Sequence, residues 1–193
     1  MTDTGTKTEL WPLVHAERAA LADDLAGLTE EQWETPSLCT GLTVREVLAH
    51  VTAGASLTPL RWMIGVIRCR WDFDKQVAMR LAEQMGADGA ETLERFRRVV
   101  TSTTKPPLPQ IAMLGEAIVH AEDIRRPLGL RRDYPIPVLT ELAGYYGGSD
   151  LVVTAKGRMG GGGVEAPPGP GARGGGPPGD GPPQGEKQGQ NRP

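Results

Sequence analysis

From residue 157 to its end this chain holds almost nothing with which to build a core. Fourteen of its 26 glycines and eight of its 17 prolines lie in those last 37 residues, where Leu, Ile and every aromatic residue are missing. Ordering the backbone costs about 1–2 kcal/mol per residue, and a segment this poor in apolar side chains has no burial to offset it. Residues 157–193 are therefore expected to be a disordered Gly/Pro-rich tail. The fold then belongs to the first 156 residues, a length that suits one domain.

Those residues read as helices. Trp11, Val14, Leu21, Leu25 and Leu28 fall at helical spacings and predict a first helix over residues 8–27. A loop with Pro36 and Gly41 follows, and Thr43 with Glu46 forms the Thr-x-x-Glu pattern of a capping box. The second helix starts there, with Val44, Val47, Leu48 and Val51 on one face. His50 sits about 60° from Val47 on that wheel, at the border of the buried face. A third helical stretch, residues 74–101, breaks between Gly86 and Gly89. After the stop KPPLP, a fourth helix runs over residues 109–126 and ends at Pro127. Residues 137–146 form a short fifth helix, and LVVTA at 151–155 is a candidate strand. Helices of three or more turns with few strand signals predict an all-α four-helix bundle.

The net charge of −3 argues against a nucleic-acid binder, which needs a basic stripe, and no such stripe appears. Arg125, Arg126, Arg131 and Arg132 do cluster, but Asp123 and Asp133 flank them, so a solvated helix end is the expectation. The first ten residues lack a signal-peptide pattern, and no apolar run approaches the ~20 residues that span a bilayer. A soluble, cytoplasmic protein with no membrane partner is expected. Two cysteines, Cys39 and Cys69, without CxxC spacing indicate reduced thiols.

Chemistry concentrates on the fourth helix, QIAMLGEAIVHAEDIRRPLG, where Ile111, Leu114, Ile118 and Arg125 share one side and Glu116, His120 and Asp123 the other. Glu116 and His120 are four apart, one turn above the other, so both can reach a common ion. A carboxylate and an imidazole suit Zn²⁺. The natural third ligand is His50, and two His with one Glu leave an open coordination position. The same residues also fit a plainer description, the wet face of an amphipathic helix beside a core-edge histidine. His15, beside Val14, reads as a surface or helix-packing residue.

Two stretches carry a family resemblance. PSLCTGLTVREVLAHV at residues 36–51 is similar to the Pro-Ser-Leu-Cys-x-Gly-Trp-x-Val-x-x-Val-x-x-His signature of the mycothiol-dependent maleylpyruvate isomerases of the DinB-like superfamily. EAIVHAEDIRRPLG at residues 116–129 resembles their second signature, Glu-x-x-x-His-x-x-Asp-Ile-Arg-Arg-Pro-Leu-Gly. The resemblance implies a DinB-like metal-binding helical bundle over residues 8–150, with residues 151–156 the remnant of a linker or strand. It also implies one divalent metal, usually zinc, on His50, Glu116 and His120. Asp123 matches a motif position that is not a ligand and supports the site from behind it. Cys39 reads as a loop thiol. The cofactors implied are the metal and mycothiol, and the partners a low-molecular-weight thiol and a small electrophilic substrate. The reaction is isomerisation of a cis double bond or S-transfer.

Two departures stand against that pattern. Leu42 replaces the signature tryptophan, which alters packing at the start of the second helix. Family members also continue past a segment like DLVVTAKGRM into an α/β region that helps close the active site. The Gly, Pro and Arg richness from Gly160 onward is that of a GC-rich coding sequence read out of frame. A frameshifted or truncated gene is the corresponding expectation, and resequencing that finds family-like sequence downstream in no other frame would rule it out. Two rival readings are a non-catalytic metal-binding or dimerising bundle without its second domain, for which a homodimer is the partner, and a metal-free helical interaction module.

Overall fold

The structure, a computed structural model, describes residues 10–148. Eight helices make up those residues: α1 (Leu10–Asp24), α2 (Glu30–Trp33), α3 (Val44–Ser56), α4 (Pro59–Arg68), α5 (Phe73–Gln84), α6 (Gly89–Arg97), α7 (Gln110–Arg125) and α8 (Ile136–Gly147). Among the described residues the sole strand-like pairing is an isolated bridge between Pro36 and Thr43. The expected strand at 151–155 and tail at 157–193 lie outside them.

Four helices close a ring. α1 packs on α6 and α7, and α3 packs on the same two, which is the expected four-helix bundle. α5 lies against α3, α4 against α5, and α8 against α7. Trp33, Leu48, Phe96 and Ile124 anchor one core cluster, and Val14, Leu114, Ile118 and Leu142 a second. α3 begins where the sequence places it. The Thr43 hydroxyl accepts from the Glu46 amide at 3.3 Å while Glu46 accepts from the Thr43 amide at 2.8 Å, so two donors otherwise orphaned at the helix start are satisfied. α7 is different, because neighbours on three sides leave it buried nearly all round.

Three findings differ from the sequence reading. α2 interrupts the expected loop, started by a second capping box of Thr29 and Gln32. α4 fills a stretch for which the reading has no element, and Leu60, Met63, Ile64 and Ile67 on it are exposed. Arg125 is no solvated helix end. It is fully buried, its guanidinium 2.7 Å from Asp24 and donating to the Tyr134 hydroxyl at 2.8 Å. Burying a guanidinium is tolerable only with such partners. Arg132 likewise pairs with Glu17 at 2.7 Å.

No helix among the described residues is long and apolar enough to cross a membrane.

Candidate metal centre

The bundle brings three separated side chains to one point. His50 comes from the middle of α3, and Glu116 and His120 from one face of α7, the helix on which α3 packs. Nε2 of His50 lies 3.6 Å and Nε2 of His120 3.3 Å from the same oxygen, Oε2 of Glu116. All three ligand-type atoms fall within 4.8 Å of one another. Groups held ~2.0–2.1 Å from a tetrahedral ion sit about 3.3 Å apart, so the spacing and the N, N, O donor set both fit a zinc-like ion. The two imidazoles meet edge to face, ring centroids 5.0 Å apart.

The plainer description, a wet helix face, does not fit the burial. His120 is 18 % and Glu116 29 % exposed. Burial alone would raise the Glu116 carboxyl, but pairing with His120 and His50 outweighs it and holds the group down at about 2. Burial also disfavours a charged His120, whereas Glu116 and Asp123 favour it, and the net direction is upward.

His120 is held from its other side as well. Its Nδ1 lies 3.0 Å from Oδ2 of Asp123, a carboxylate that accepts a hydrogen bond there and leaves Nε2 free to face Glu116. The Cys39 thiol donates to the same Asp123 oxygen at 3.1 Å and lies 3.5 Å from Nδ1. The loop that delivers Cys39 is knitted to itself. The Ser37 amide donates to Leu42 O at 2.9 Å, the Cys39 amide donates to the Ser37 hydroxyl at 3.1 Å, and Gly41 takes the left-handed φ of +80° that closes the turn. The Leu38 amide donates to Asp123 O at 3.1 Å, which ties that loop to α7. Leu42, which stands in the place of the signature tryptophan, packs against the core. Burial pushes the Cys39 thiol up, and the Asp123 and Glu116 carboxylates push it further, to about 12. Cys39, His120 and Asp123 thus form a second cluster of ligand types sharing one imidazole with the first.

The site opens on a cavity of about 220 Å³, lined by His50 and Glu116 together with Arg18, Trp62, Phe73 and Leu108 among others. Trp62 and Phe73 stack at 6.5 Å. His15 stacks on Trp11 and joins neither ligand cluster. The sequence reading missed Arg18, though a signal existed: it stands between Val14 and Leu21 in the apolar stripe of the first helix. Trp62 and Phe73 carried no such signal.

Compared with known families, residues 14–106 match the one described as "Mycothiol maleylpyruvate isomerase N-terminal domain". This segment is similar to that family. No curated protein and no solved structure matches the chain. The matched segment carries Cys39 and His50 and stops short of Glu116, His120 and Asp123. The helical architecture agrees with that match, while Glu116 and His120 on α7 lie beyond it.

Proposed function

We propose that the chain binds one divalent metal ion, of which zinc is the best fit, through His50, Glu116 and His120, and serves thiol chemistry on a small electrophile. The observation that carries this reading is the convergence of three donor atoms within 4.8 Å, on two packed helices, at the edge of a cavity. When bound, such an ion keeps a coordinated thiol deprotonated at neutral pH. The chain's own residues do the rest. Glu116 brings negative charge at neutral pH, and Asp123 fixes which nitrogen of His120 faces the site. Trp62, Phe73 and Leu108 give the cavity an apolar wall that excludes water from a reactive electrophile. The family supplies the identity of the thiol, mycothiol, and the two chemistries open to it, isomerisation of a cis double bond and S-transfer.

Metal content decides the first step. Protein purified without a metal-affinity tag is analysed by plasma mass spectrometry beside the His120→Ala variant. About one zinc or similar ion per chain, lost in the variant, supports the site and justifies assaying mycothiol-dependent consumption of an electrophile. A folded native protein free of metal would sink it. Metal without thiol-dependent turnover would leave a non-catalytic metal-binding bundle.

A further inference from the structure

Arg18 on α1 is 3 % exposed, and no carboxylate among the described residues pairs with it. Its Nη1 donates to Ser102 O at 3.0 Å and Val99 O at 3.4 Å, both neutral carbonyls, while its Nε is buried without any partner. The contrast with the other buried arginines is instructive. Arg125 faces Asp24, and Arg80 meets Glu83 at 2.9 Å. Burial without a counter-charge pulls the Arg18 guanidinium down to about 10. Breaking or omitting the partner of a buried ion is among the costlier things a fold can do. A staple between a helix and two carbonyls needs no permanent cation, and it uses one nitrogen of three.

Arg18 also lines the cavity onto which His50 and Glu116 open, and much of the remaining wall is apolar. We infer that Arg18 is the anchor for a carboxylate, and that the cavity takes a small ligand with one anionic end and an apolar body beside Trp62 and Phe73. A planar carboxylate matches the donor fork of a guanidinium. The inference names the ligand class of the site proposed above. Its chemical meaning rests on that reading, but the binding step does not need the ion.

The test is calorimetric titration of the full chain with benzoate and, separately, with benzamide, before and after chelation of any metal. The expected result is binding of benzoate at least about tenfold tighter than benzamide in both states. In Arg18→Met, folded by circular dichroism, that preference disappears and benzamide binding stays unchanged. Should Arg18→Met not fold, Arg18→Lys decides, because it retains the cation without the fork, and its benzoate affinity should fall several-fold with benzamide unaffected. Equal affinities for the two ligands, binding of neither, or a benzoate preference that vanishes on metal removal would each overturn the inference, the last because the ion would then be the anchor. So would a folded Arg18→Met that keeps the preference, or an Arg18→Lys that matches the native chain. Protein that carries no metal as purified, and still prefers benzoate, would sink the metal reading and leave this one standing.

Discussion

Replacing Asp123 by alanine should weaken metal binding without dismantling the site. The carboxylate touches no proposed ligand atom directly. It lies 3.0 Å from Nδ1 of His120, the nitrogen opposite the Nε2 that lies 3.3 Å from Glu116. What is lost is orientation of the imidazole and the negative charge that makes it a better donor. Carboxylates in that relation to a metal-bound histidine are worth roughly 10–100-fold in affinity, or about 1.4–2.8 kcal/mol. The Cys39 sulfur, 3.5 Å from the same nitrogen, offers a weak substitute acceptor. That places Asp123→Ala toward the lower end, a loss of about 10–30-fold. Asp123→Asn keeps an oxygen in position and should lose about threefold. Zinc affinity is read by competition with a chromophoric chelator, and ellipticity at 222 nm checks that the helices survive. An Asp123→Ala variant that binds zinc within about twofold of the native chain, while His120→Ala binds none, would refute the claim that Asp123 sets the ring.

Two further outcomes bear on the frame around the site. Asp24→Ala strips the fully buried Arg125 of its carboxylate and leaves it the Tyr134 hydroxyl. Because Asp24 is partly exposed, the loss should be about 2–3 kcal/mol rather than the ~3–5 of a wholly buried pair, seen as a lower urea midpoint at constant slope; a loss under about 1 kcal/mol would mean that the pair behaves like a surface one. Gly115→Ala places a methyl group on the Tyr146 hydroxyl, where α8 crosses α7, and should cost about 1–3 kcal/mol despite alanine's better helix propensity. Tyr146→Phe in the same chain should recover part of that, and no recovery would mean that the overlap is not with the hydroxyl.

The elements most legible in the sequence were those with local chemistry at their ends. Thr43 and Glu46 marked the start of α3, Gly86 to Gly89 the gap between α5 and α6, and Pro127 the end of α7. α4 escaped because its apolar stripe of Leu60, Met63, Ile64 and Ile67 faces outward, so it points to no core that its neighbours share. α2, a single turn, is too short to show periodicity. Among site residues, Glu116 and His120 were legible as a pair because one helix carries both. His50 was only a candidate, since nothing local fixes how α3 meets α7. Arg18 was missed and Arg125 misjudged for one reason. Charge argues for solvent until a tertiary partner or a cavity is known, and neither is written nearby in the chain.

The contact of α3 with α7 makes the centre a gauge of the core. His50 is carried by one helix and Glu116 by the other, and what holds them in register is apolar filling such as Val47, Val51, Ala121 and Ile124. None of these residues could touch an ion. A bulkier side chain at Ala121 would nevertheless wedge the two helices apart, and the span between His50 and Glu116 would open with them. Selection for a working centre would thus act on buried alanines and valines as firmly as on the ligands, for the tolerance of coordination chemistry is far narrower than that of folding.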